Sequence, residues 1–263
     1  MCFPWRNIVI IAIGLTVSMN SHGSEQYHYL NIKEVIFTGQ FKQIIINTHQ
    51  SSDVVVENIT SGDNLSFQQN GDMLSIKTMN NSVKSSRIVN GNITNIVVGK
   101  NASSMISIGG VEGDTGHDDQ PPAEVSLSVP KGINLRLEGN IINAKIGDIS
   151  GNLLLDIGGK GKIEVGVVHD VSARLAGATF THILRAVGDL QVDMAGAGKL
   201  NIDDGEIGSL AVVTAGASSV NVNAMVDKAN IKVAGAGNVR VKQVRTKPDV
   251  SILGAGHVEI GND

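Results

Sequence analysis

The chain has 263 residues, 21 Lys plus Arg against 25 Asp plus Glu, a formal net charge of −4 and one cysteine, Cys2. Mild acidity argues against a general nucleic-acid binder, and a lone cysteine excludes a disulfide framework or a Cys-ligated metal. With aromatics at 3% and glycine at 31 residues, a wide globular core lacks large fillers, and a narrow core of stacked Val, Ile, Leu and Ala is expected.

At the N-terminus, Arg6 precedes the apolar run Ile8–Val17, and the small residues Ser21 and Gly23 follow. That is the layout of a secretory signal peptide over residues 1–23. The apolar run is about ten residues, where crossing a hydrocarbon core takes roughly twenty. Cleavage after Gly23 leaves 20 basic against 25 acidic residues, a net charge of −5, and no cysteine. An exported mature chain without a membrane span is therefore expected, in the periplasm, at the cell surface or outside the cell.

Residues 24–131 read as an N-terminal β region. Strand signals cover Ile32–Phe37, Phe41–Asn47, Asp53–Glu57 and Leu65–Lys77. The last holds a hairpin with Asn70-Gly71 as its type I′ turn, which sets Phe67 opposite Leu74 and Leu65 opposite Ile76. Residues 78–122 turn polar, with a second candidate hairpin at Asn90-Gly91 and the loop Glu112–Pro122. They read as an insertion. Strand pattern resumes at Val125–Val129 and is closed by Pro130.

From 132 to 263 the chain repeats itself. Glycines recur at Gly139, Gly159, Gly177, Gly196, Gly216, Gly235 and Gly254, with spacings of 20, 18, 19, 20, 19 and 19. Such a period signals a solenoid. Leu190, Val192 and Met194 alternate with polar residues before the corner, and Leu200 and Ile202 resume after it; Leu210–Val222, Ala229–Val241 and Pro248–Ile260 repeat the pattern. Period two means strands with one buried face. The glycines suit tight corners of positive φ, and Ala197, Ala217, Ala236 and Ala255 are expected to plug the corners from inside. The fold class expected is all-β: a right-handed parallel β-solenoid of about seven 19-residue rungs, preceded by a β-strand region with hairpins. At about 4.8 Å per rung the column would be on the order of 30 Å tall.

The Gly-Ala-Gly corners within 195–198, 234–237 and 253–256, with Val-Ser-Leu-Ser-Val-Pro at 125–130 and the strands from Phe41 to Lys77, resemble the head GIN domain family. That family is associated with auto-transporter adhesins and has no assigned biochemical role. The resemblance spans roughly 35–260, apart from 78–122. It implies a single β-solenoid-like domain in an exported protein.

Few residues offer chemistry. Gly158–Val165 half-matches a calcium β-roll nonapeptide, but Ile163 stands where the ligating aspartate belongs. Gly196-Ala-Gly-Lys199 lacks the hydroxyl of a phosphate loop at Leu200. His117, Asp118 and Asp119 lie in an acidic loop, read as solvated. No cofactor and no metal site is therefore expected. Lys232, Arg240, Lys242, Arg245 and Lys247 form a candidate face for an anionic ligand, with the first three expected to point out together. Four apolar residues of the last rung, Val250, Ile252, Val258 and Ile260, predict self-association through the C-terminal end. The function expected is a non-catalytic, adhesin-like binding or structural module for a glycan or surface protein. The alternative is a carbohydrate-active enzyme, a polysaccharide lyase or glycosidase, with acids near Asp193 and Asp203.

Overall fold

The computed structural model describes residues 9–11, 15–19, 25–60, 65–78, 88–89, 92–93 and 123–261. The first half contributes strands β1 (Val9–Ile11), β2 (Leu15–Met19), β3 (Glu25–Tyr29), β4 (Glu34–His49), β5 (Val54–Thr60), β6 (Leu65–Asn70), β7 (Met73–Thr78), β8 (Ile88–Val89) and β9 (Asn92–Ile93). The second half contributes β10 (Ala123–Pro130), β11 (Asn134–Ile146), β12 (Leu153–Ile157), β13 (Lys160–Val168), β14 (Val171–Ala186), β15 (Leu190–Gly196), β16 (Lys199–Gly216), β17 (Ser219–Gly235), β18 (Asn238–Val244), β19 (Asp249–Gly254) and β20 (His257–Ile260). The described chain is all-β, a solenoid of stacked parallel strands.

Each rung makes three short runs joined at corners. In one rung, flank A is Leu190–Gly196, flank B begins at Lys199, and flank C holds Glu206 and Ile207 before Leu210 opens the next flank A. Parallel registers stack equivalent residues: Leu135, Leu153, Val171, Leu190, Leu210 and Ala229 form one inward column on flank A. Ile163, Thr181, Leu200, Val220 and Val239 form another on flank B. All are buried in one continuous core, as period-two alternation requires.

The solenoid starts earlier than the repeat does in sequence. Strand β4 pairs in parallel with β11 from Glu34↔Asn134 to Ile46↔Ile146, and Gly39 lies opposite Gly139. Residues 34–49, read in the sequence as N-terminal strands outside the 19-residue period, thus form a rung. Beyond them the sheet turns antiparallel: β5 pairs with β10 and β3 with β5, while β6 pairs with β7. This end holds the large rings, Phe37 edge-on to Phe41 with centroids 5.7 Å apart and Tyr29 stacked on Phe67 at 6.4 Å. Two strands fall within the expected leader; β1 runs parallel to β6 and β2 antiparallel to β3.

Two local expectations shift. The hairpin turns at Gly71-Asp72, not Asn70-Gly71: Asn70 pairs with Met73 and Phe67 with Ile76. Only Gly71 has positive φ there (61°), which fits a turn with glycine at its first central position. The partners move by two residues, so parity is kept and Leu65, Phe67, Leu74 and Ile76 still share the buried face. Ala197, Ala217, Ala236 and Ala255 are exposed, not inside; the next residues, Gly198, Ser218 and Gly237, are the buried ones. The pair β8–β9 brackets positions 90 and 91, with Val89 opposite Asn92. The rest of 79–122 lies outside the described residues.

Candidate functional site

The corner that leads into flank A carries one polar residue per rung: Glu34, Asn134, Asn152, Asp170, Asp189 and Ser209, continuing into Lys228 and Lys247. Short acceptor side chains suit this corner because they bond to nearby backbone N–H groups. The Asn152 N–H donates to Asn134 Oδ1 at 2.8 Å, and the Asp189 N–H donates to Asp170 Oδ1 at 2.7 Å. Beside this ladder run the first outward residues of flank A, Arg136, Leu154, Ser172, Gln191 and Ala211. Together they wall an open groove of about 560 Å³ that crosses six rungs, from Glu34 to Ser209. At about 4.8 Å per rung it is about 25 Å long. A second hollow of about 280 Å³, bordered by Thr38, Gln68 and Met73, shares Arg136 and extends the trough.

The groove is net acidic. Arg136 already faces two carboxylates, with Nε 3.4 Å from Glu34 and Nη1 3.5 Å from Glu138. Asp170 and Asp189 face no Lys or Arg among the described ion pairs, only His169 Nδ1, 3.1 Å from Asp170.

The five residues proposed for an anionic ligand are dispersed. Lys232 lies on flank A, in the column of Val213 and Ser251. Arg240 and Lys242 lie on flank B, Arg245 beside Val226 on flank C, and Lys247 at the corner ladder. Two are engaged: Arg240 donates to Glu259 through Nε at 2.9 Å and Nη2 at 2.6 Å, and Arg245 donates to Asp227 at 2.6 Å. Alternation says that Lys232 and Arg240 point outward; it does not say that they point outward from the same flank, and they do not.

The two aspartates of the enzymatic alternative also part. Asp193 stacks between Arg174 and Val213 on flank A. Asp203 lies beyond flank B, where its Oδ2 is 2.7 Å from His182 Nε2. Nearby, the hydrogen bond from Lys162 holds the Glu164 carboxyl below its usual range. The acidic loop with His117, Asp118 and Asp119 lies outside the described residues.

All seven corner glycines have positive φ, from 84° at Gly159 to 120° at Gly254, and Gly39 joins them at 125°. They form two stacks, not one. Gly39 and Gly139 make the first, with Gly139 opposite Ile157 on its other side. Gly159 stacks against Gly177, whose column continues through Gly196, Gly216, Gly235 and Gly254.

The corner ladder went unread in the sequence, although its signal is there. Asn134-Leu135, Asn152-Leu153, Asp170-Val171, Asp189-Leu190 and Ser209-Leu210 recur at spacings of 18, 18, 19 and 20.

No family model matches the chain, and no curated protein matches it in sequence. Among solved structures, a candidate lipid-binding protein of Parabacteroides distasonis aligns over 97% of this chain and 100% of its own, with a TM-score of 0.53 and 11% identity. A candidate adhesin of Bacteroides fragilis aligns over 96% and 100% at 0.49 and 12%. A candidate adhesin of Parabacteroides merdae aligns over 97% and 100% at 0.46 and 12%. The first of these likenesses establishes a shared fold, and at such low identity a shared fold is the whole of what it establishes.

Proposed function

We propose that this chain is an exported, non-catalytic β-solenoid module of the head GIN domain type, which holds a glycan or protein partner at the cell surface or in the periplasm. The observation that carries this reading is the continuous groove across six rungs, walled by outward polar side chains on a rigid stack of strands. A long, shallow, regular surface is suited to holding an extended partner. Asp193 and Asp203 lie on different flanks, so they do not flank one glycosidic bond, which paired acids must do. The spread of Lys232, Arg240, Lys242, Arg245 and Lys247 over three flanks and a corner argues against these residues as one anion-binding face.

Cell fractionation and binding of the mature protein to a glycan and surface-protein array test this role, alongside a hydrolase and lyase screen. Export, and retention of at least one array partner without turnover, are expected. Turnover of a polysaccharide, or a cytoplasmic majority, would overturn it.

A further inference from the structure

We infer that the flank-A groove takes an extended, neutral hexose chain lying along the coil axis, with about one sugar per rung. This deepens the proposed binding role and rests on it. The first argument is one of period. The ladder offers one hydrogen-bonding side chain every rung, about 4.8 Å apart, from Asn134 through Asn152, Asp170 and Asp189. An extended hexose chain advances by roughly one rung per sugar, whereas an extended peptide advances about 3.3 Å per residue and falls out of step within a few residues.

The second argument is chemical. A carboxylate accepts from several donors, and an amide both donates and accepts. One oxygen of Asn134 and one of Asp170 are held by backbone N–H groups, which orients those side chains in advance. Neighbouring hydroxyls of a sugar match such a row of fixed acceptors. An acyl chain does not, because it would cover Asp189 and Gln191 and offer their polar atoms nothing to bond to.

The third argument is charge. Arg136 is taken up by Glu34 and Glu138, which leaves Asp170 and Asp189 to repel a uronate or phosphate polymer.

Calorimetric titration of the mature protein with neutral gluco- and manno-oligosaccharides of two to eight sugars, and with oligogalacturonates, tests the inference. Affinity for a neutral series is expected to rise with length and level off at about five or six sugars, given a groove of about 25 Å. Gln191→Ile, which takes a hydrogen-bonding amide out of the groove wall, should weaken that binding at least tenfold, whereas Asn221→Ile on flank B should leave it within twofold. Thermal melts of both variants confirm that they are folded. The double substitution Asp170→Asn with Asp189→Asn keeps a side-chain oxygen at 170 to accept from the Asp189 N–H and should raise oligogalacturonate affinity at least fivefold. Tighter wild-type binding of uronates, absence of a length dependence, or no binding of either neutral series at millimolar concentration would overturn the inference. Neutral binding that survives Gln191→Ile unchanged would overturn it too, while leaving the broader binding role standing.

Discussion

Gly177 lies so close above Gly159 that a Cβ at Gly177 would stand 2.3 Å from the Gly159 carbonyl oxygen. Its φ of 105° adds backbone strain for any other residue, worth about 1–3 kcal/mol before the clash is counted. Gly177→Ala should therefore destabilise by about 3 kcal/mol or more. Gly71 has φ 61° and nothing within 4 Å of the added atom, so Gly71→Asn should stay within about 1 kcal/mol. Urea titrations of the two variants decide: equal losses would contradict the stacked corner.

Thr214 is fully buried, and its hydroxyl has no hydrogen-bond partner among the described residues. Val233 occupies the same column one rung on. Thr214→Val should stabilise by about 1 kcal/mol, since an unpaired buried hydroxyl carries a desolvation penalty of about that size. A lower melting temperature would mean that the hydroxyl is bonded to trapped water.

Asp53 ties the capped end to pH. Burial pushes its carboxyl up, but hydrogen bonds from His28 and Ser51 outweigh burial and hold its pKa below the ordinary 3.8; His28 Nδ1 lies 2.6 Å from Asp53 Oδ2. A depressed folded pKa stabilises fully above the unfolded value, near 4, and that contribution is lost as pH falls through the folded one. The stability gap between wild type and Asp53→Asn should be present in full at pH 5 and shrink below pH 4. Denaturation curves at both ends of that window check it, and a gap that widens in acid would reverse the sign.

At the other end the last described rung is more exposed than its neighbour. Val250 and Ile252 continue the columns of Ile231 and Val233, yet they are 39% and 43% exposed where those are 0% and 2%. Val258 and Ile260 likewise extend Val239 and Val241. Apolar strand edges of this kind favour pairing with another copy. Light scattering should show a dimer at micromolar concentration, and Ile252→Lys should return it to monomer. A wild-type monomer throughout would refute the association.

The period from Gly159 onward was legible because the rungs there differ by only a residue or two, so equivalent side chains stay in phase. The rung at Glu34–His49 was not, because 84 residues separate it from Asn134. Its match to the repeat lies in Phe37-Thr-Gly-Gln-Phe41 against Leu137-Glu-Gly-Asn-Ile141. Alternation separates inside from outside but is blind to which of three flanks a residue occupies, and Lys232 and Arg240 were misjoined for that reason. The corner alanines failed for a related cause: where the glycine turns, the inward position falls two residues after it, to Gly198, Ser218 and Gly237.

The pairing of Gly39 with Gly139 also orders events in time. Neighbouring C-terminal rungs close loops of about 19 residues, whereas β4 must wait for a partner 100 residues further along. Loop closure grows by about 0.6 kcal/mol per doubling, so the longer search carries about 1.5 kcal/mol of extra entropy. The C-terminal rungs, rich in near-neighbour contacts, are the place where ordering can begin and spread one rung at a time. The rung at Glu34–His49, although made early by the ribosome, is expected to dock on β11 after those rungs have formed.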